Sequence, residues 1–376
     1  TIIGEALVHR GIFSDNEIRI SSTGDSTGED GKIFISGQRG SSLVWGVALT
    51  GGYILSKSGP IEIEAKHDPS NTENLGYLYL PGVTLGSKAE STVLTSTSNI
   101  ILRSDQLQST TSDKTFIYSD GSLTLEPYQS TFGSTHYFNG SGLNYPPLSG
   151  YVLNGNRHNL SELIIGNSTN TSKITFDSAT TIAGPIEIYG GDLAINAALT
   201  ATGSDINLHA SGAVTQTAAV TADKLGLHGT GTFTLTNTSN NVATIAGGDT
   251  TTKLGSLSYV DAADGLTIGT VNPVGITATG DVLIETLSGD INLTEPITTD
   301  SSTDTTTGYT GAILLNAGKS TAAGTSTGGD IKVSGNGAVS AVNGITKLYS
   351  GSEANSTDLT TLVGGSANER FVVDET

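Results

Sequence analysis

The sequence predicts an all-β fold, a right-handed parallel β-helix (β-solenoid) of about 20 residues per coil with a lateral aromatic-rich insertion. Three observations predict it. Short runs of Ile, Val and Leu alternate with polar residues at period two, the pattern of a strand with one buried face. Gly, Ser, Thr, Asn and Asp fill the links between these runs, which is the composition of turns. No stretch of useful length carries the i, i+3, i+4 apolar stripe of a helix.

The clearest copy of the unit is 280–293. It reads Gly280-Asp281-Val282-Leu283-Ile284, a polar link, then Gly289-Asp290-Ile291-Asn292-Leu293. Each half is a Gly-Asp turn that leads into a strand. Gly tolerates a positive φ, and the Asp carboxylate is expected to bond the backbone just ahead of it. The two halves are expected to form two faces of one coil.

From the start of the chain, residues 1–120 give the less regular coils. Ile18, Ile33, Val47 and Ile61 mark successive strands, and Pro60 stands at a strand entry, where its missing N–H costs least. Further strands are read at 77–80, 83–85, 100–102 and 116–118. The stretch 121–160 breaks the rhythm with Tyr128, Phe132, Tyr137, Phe138, Tyr145 and Tyr151, so it reads as the insertion or lateral loop. Its rings either cover the stack as a satellite core or, through Tyr128, Phe132, Tyr137, Phe138 and Tyr145, contact a glycan.

The beat returns over 161–350, the regular coils. Gly184-Pro185-Ile186-Glu187-Ile188 nearly repeats Gly59-Pro60-Ile61-Glu62-Ile63. The steps Ile186 to Ile206 to Leu225, and Ile291 to Ile313 to Ile331, set the period. After Tyr349 the pattern thins, so 351–376 is read as a terminal partial coil and linker. At this period the chain makes roughly 18 coils stacked about 4.8 Å apart, a rod of order 85 Å.

Composition narrows the function classes. Charged residues are 14%, against about 25% in an average globular protein, and the net charge is −19. That balance disfavours a phosphate backbone as partner, because nucleic-acid binding needs clustered Lys and Arg. Without Cys there is neither a disulfide nor a thiolate metal site. No run reaches the ~18 apolar residues of a membrane span. A first residue of Thr and the lack of Met lead to the expectation of a mature product or a fragment.

Catalytic signatures are missing. None of the six His pairs with another at metal-ligand spacing in the sequence, and there is no H-E-x-x-H, G-x-S-x-G or P-loop. A polysaccharide-degrading β-helix would need carboxylates or cations clustered in a cleft, and here both are scattered. No cofactor is expected. Ca²⁺ is the one ion considered: Asp25, Glu29 and Asp30 offer oxygens ahead of Gly31, but the closing bidentate acid of an EF-hand is missing.

The stretch 161–376 resembles the filamentous-haemagglutinin-like surface adhesins of Bacteroidota. The resemblance is carried by Leu163-Ile164-Ile165-Gly166-Asn167-Ser168-Thr169-Asn170-Thr171, by 181–199, 233–248 and 275–293, by Ile313-Leu314-Leu315-Asn316-Ala317-Gly318-Lys319 and by Leu348-Tyr349-Ser350-Gly351. Residues 1–160 match more loosely, through 59–63 and 98–105. The resemblance implies a fragment of a long, non-enzymatic, extracellular cell-surface chain, in many cases exported by type IX secretion and sometimes serving gliding motility. Such chains adhere to surfaces, glycans or neighbouring cells, and further repeats of the same chain adjoin the fragment. The resemblance also implies O-glycosylation at Asp-Ser/Thr-Xaa sites, here at Ser26, Ser178, Thr250 and Thr305. Two alternatives stand beside the adhesive reading: a carbohydrate-binding module that uses the aromatic insertion, and a β-helix polysaccharide-degrading enzyme.

Overall fold

Burying a strand requires a partner for its backbone polar groups, and this chain supplies one from the next coil. A computed structural model describes residues 12–14, 18–22, 31–38, 46–66, 76–86, 96–108, 115–133, 136–138, 151–153, 160–262, 265–303, 311–321 and 329–362. The chain falls into two units, Thr1–Gly203 and Ser204–Thr376. Each is a parallel β-helix whose strands pair, parallel and in register, with their counterparts one coil away.

In the first unit the longest ladder runs through Ile33–Gln38, Ile61–Lys66, Ile100–Ser104, Ser122–Glu126, Glu162–Ile165 and Ile186–Gly190. Its inward positions stack like on like. Ile33, Ile61, Ile100, Leu123, Leu163 and Ile186 form one row, and Ile35, Ile63, Leu102, Leu125, Ile165 and Ile188 form the next, all buried. Two further ladders complete the early coils. One joins Ile12–Ser14, Val47–Leu49, Tyr77–Tyr79 and Gln106–Gln108, and the other joins Ile18–Ser22, Gly52–Ser56, Val83–Gly86, Thr115–Tyr118 and Tyr151–Leu153. The likeness between 59–63 and 184–188 has a cause. A Cβ on Gly59 would lie 2.4 Å from the Gly31 carbonyl oxygen, and one on Gly184 would lie 2.1 Å from that of Ser161. Both glycines let the turn into this ladder settle on the coil before it.

In the second unit one ladder runs through Ala213–Gln216, Thr232–Leu235, Ser256–Asp261, Val282–Thr286, Ile313–Asn316 and Thr346–Tyr349. A second begins as Ile206–Ala210, Val220–His228 and Asn241–Gly247, then forks. One branch takes Leu266–Ile268, Ile291–Leu293 and Ile331–Val333, and the other takes Ile276–Ala278, Ile297–Thr299 and Val339–Ala341. The two halves of 280–293 thus lie on two faces of one coil, as expected.

Three expectations change. The period is about 20 only locally. Ile206 pairs with Leu225, 19 residues on, but Ile291 pairs with Ile331, 40 residues on, while Ile313 belongs to another face and pairs with Val282. Links between faces can lengthen because loop-closure entropy grows slowly with length. The stretch 121–160 does not leave the stack as a whole: Ser122–Glu126, His136–Phe138 and Tyr151–Leu153 are ladder strands. The Gly-Asp turns also work differently. Asp290 accepts from the N–H of Asp330 at 3.0 Å and Asp330 from that of Ser352 at 2.9 Å, so each carboxylate ties its coil to the next. Residues 351–357 continue onto this edge through Thr357 N–H to Ile331 C=O at 3.2 Å, and the four-residue helix Leu359–Leu362 follows. No helix among the described residues is long and apolar enough to cross a membrane.

Candidate functional site

Period two sends every second residue of the long ladder in the first unit outward. One outward row is Phe34, Glu62, Ile101, Thr124, Ile164 and Glu187, and another begins Ser36, Glu64, Arg103 and Glu126. Charges on neighbouring coils meet along these rows. Glu62 takes Lys32 Nζ at 2.8 Å and also Arg103, and Arg103 bridges on to Glu126. Glu64 takes Lys66 Nζ and Ser36 Oγ, both at 3.0 Å. Partly exposed pairs of this kind contribute about 0–1 kcal/mol each, so they order the surface more than they stabilise it. Tyr128, half-buried just beyond Glu126, carries Lys66 Nζ 6.0 Å from its ring centroid, a cation–π contact.

Further along the same face the balance turns acidic. Tyr189 OH donates to Glu187 Oε1 at 2.7 Å. Burial, then the Glu187 carboxylate, pushes the Glu162 carboxyl above its ordinary range. Burial first, then the bond to Glu187, pushes the Tyr189 phenol up as well. Such a face offers oxygens to a ligand rich in hydroxyl groups, and Tyr128 offers it a ring.

The expected site residues scatter. Tyr128 is partly exposed, but Phe132 is 1% exposed and so is closed to a sugar. Tyr137 and Phe138 lie on the strand His136–Phe138, opposite Thr175 and Phe176. Tyr145, the calcium candidates Asp25, Glu29 and Asp30, and the glycosylation candidates Ser26 and Thr305 lie outside the described residues. Thr250 is exposed and Ser178 half-buried. The Asp beside each is engaged. Asp249 accepts from the N–H groups of Thr252 and Thr251, both at 2.7 Å, which holds its carboxyl below the usual range, and Asp177 accepts from Asn196 Nδ2 at 2.6 Å. Among the described residues no group of three or more His, Cys, Asp or Glu is placed to hold a metal.

Sequence reading missed what the asparagines do. Residues 167–170 (Asn-Ser-Thr-Asn) and 237–240 (Asn-Thr-Ser-Asn) form the same turn. In each, the first Asn side chain accepts from the N–H two residues on, and its carbonyl accepts from the N–H three residues on. The second Asn is buried between coils. Asn170 accepts from Phe132 N–H at 3.1 Å and donates to Tyr189 C=O at 2.7 Å. Asn240 accepts from Val220 N–H at 2.9 Å and donates to Val260 C=O at 3.0 Å. The repeated tetrapeptide was the available signal. Another pairing had no local signal: His209 and His228, 19 residues apart, stack with centroids 4.1 Å apart and planes 10° from parallel.

No protein-family model matches this sequence, and comparison with curated proteins and with solved structures gave no match.

Proposed function

We propose that this chain is a non-enzymatic, extracellular part of a larger cell-surface adhesin, attaching to surfaces, glycans or neighbouring cells. The observation that supports this reading most is how the polar side chains are placed. Asn170, Asn240, Asp290 and Asp330 hold backbone groups of neighbouring coils, which leaves the outward rows as the surface for a partner. In the first unit those rows interleave carboxylates, cations, a hydroxyl and the Tyr128 ring, the groups that meet sugar hydroxyls and sugar faces. Each such contact is weak. Many copies presented together raise the total attachment far above one contact.

The test is attachment under flow. Beads coated with the folded chain are expected to hold to glycan-coated or cell-coated surfaces better than beads coated with heat-unfolded chain. Equal retention overturns the adhesive reading. Incubation with acidic and neutral polysaccharides is expected to leave their length unchanged. A steady fall in length would replace this reading with an enzymatic one.

A further inference from the structure

The ladder through Ile18–Ser22, Gly52–Ser56, Val83–Gly86 and Thr115–Tyr118 gives the first unit a second outward face. Ile54, Leu85 and Ile117 point into the core and are fully buried. Period two therefore sends their neighbours outward in two rows. Arg19, Tyr53, Thr84 and Phe116 form one row, and Ser21, Leu55, Gly86 and Tyr118 form the other. Arg19 and Ser21 are exposed, while Tyr53, Leu55, Thr84, Phe116 and Tyr118 are half-buried, so the rings keep part of their surface in water.

Bulk varies from coil to coil along these rows. Tyr53 and Leu55 stand on one coil, Phe116 and Tyr118 stand two coils on, and the coil between carries only a threonine and a glycine. Gly86 has a φ of 100°, a backbone conformation that glycine takes readily and side-chain-bearing residues do not. The result is a trough whose ring-bearing walls are two coil spacings apart, about 9.6 Å, with Thr84 on its floor. Both walls are braced. Arg19 lies over the Tyr53 ring at 5.9 Å, a cation–π contact, and the Phe116 and Tyr118 rings are 3° from parallel with centroids 6.2 Å apart. Rings held in this way lose little freedom when a ligand arrives.

Charge sets this face apart from the long ladder. Among the described residues Arg19 is the one charged side chain in the two rows, whereas Glu62, Glu64, Arg103 and Glu126 stand together on the other ladder. We propose that the trough binds an extended β-1,4-linked pyranose chain, laid across the coils so that alternate sugars stack on Tyr53 and Phe116. The C–H side of each sugar meets a ring, the sugar between them lies over Thr84, and hydroxyl groups at the edge meet Ser21 and Arg19. Spacing selects the linkage. In an extended β-1,4 chain, sugars two apart present the same face and repeat at nearly the two-coil distance, whereas an α-1,4 chain coils away from a straight row. The inference deepens the glycan part of the adhesive reading and rests on it, but it puts the sugar on a different ladder from Tyr128.

The folded chain is titrated calorimetrically with cellohexaose, chitohexaose and maltohexaose. Saturable binding of at least one β-1,4 hexamer is expected, about tenfold or more tighter than any binding of maltohexaose. Its affinity is expected to fall about tenfold in Tyr53→Ala and in Phe116→Ala, and as far in Thr84→Arg, which fills the floor and keeps both rings. Binding of neither β-1,4 hexamer overturns the site, while adhesion itself is still decided by bead retention. Equal affinity for maltohexaose, or full affinity in Thr84→Arg, overturns the trough. Dimerisation that the sugars do not disturb and Phe116→Ala abolishes gives the face to a second copy of the chain and overturns the glycan. Should a variant fail to fold, nitration of the unsubstituted chain by tetranitromethane decides the matter. A β-1,4 hexamer is expected to slow modification of Tyr53, and an unchanged rate at Tyr53 overturns the site.

Discussion

Asn240 donates from Nδ2 to the main-chain carbonyl of Val260 at 3.0 Å, joining two coils through a side chain that is fully buried. Its Oδ1 meanwhile accepts from Val220 N–H in the coil before, and both ends of its amide bond Gln216. Replacing it leaves several buried backbone groups unpaired at once. Asn240→Ala is expected to cost about 2–3 kcal/mol, while Asn237→Ala, at the half-buried start of the same turn, is expected to cost about 1 kcal/mol or less. Chemical denaturation of the two variants checks the ranking.

The two sides of a strand should differ as sharply. Ile291 is fully buried and Asn292 faces outward. Ile291→Asp places an unpaired charge among aliphatic rows and is expected to cost about 3–5 kcal/mol. Asn292→Asp should stay within about 0.5 kcal/mol. Thermal melts that reversed this order would show that the faces are misassigned.

Two carboxylates should respond to pH with opposite sign. The Glu162 carboxyl sits above its ordinary value of 4.5, so ionising it works against the fold. Its contribution is whole below that value and is lost as pH rises through the raised one. Glu162→Gln is therefore expected to gain up to about 0.5 kcal/mol near neutral pH, a small figure because the group is largely solvated, and nothing in acid. Asp290 behaves the other way. Burial pulls its carboxyl up, but the bond from Lys332 and the N–H groups of Asp330 and Gly329 outweigh burial and hold it below 3.8. Its contribution is whole above 3.8 and fades as pH falls through the depressed value. Asp290→Asn is expected to lose under about 1 kcal/mol near neutral pH, with the gap closing in acid. Melting temperatures across a pH series read both signs.

The rings of Tyr128 and Phe132 should separate binding from stability. Phe132 lies in the core, so Phe132→Ala is expected to cost about 3–5 kcal/mol. Tyr128→Ala is expected to cost about 1 kcal/mol or less and to weaken glycan attachment several-fold. Glycan retention that does not change in Tyr128→Ala removes this ring from the binding surface.

Much of the architecture could be read from neighbours in the chain. Val282 and Ile284, like Ile291 and Leu293, are apolar at period two, and period two already says strand and buried face. The repeated Gly-Pro-Ile at 59–61 and 184–186 likewise marked equivalent places on one ladder. The role of Asn240 was half legible: its tetrapeptide repeats, but its partners lie in other coils. The acidic face of Glu162 and Glu187 was not legible, because nothing near either residue in the chain announces the other.

Alternation and turn chemistry are local, so the string of residues alone settled that this is a coil of short parallel strands with an aliphatic interior. Which strand lies on which was settled in three dimensions, where Ile291 meets Ile331 and passes over Ile313. Links between faces vary in length at little entropic cost, so spacing does not encode register; the sum of buried contacts and backbone bonds along a whole ladder selects it. The stacked pair His209 and His228 exists only because of that selection.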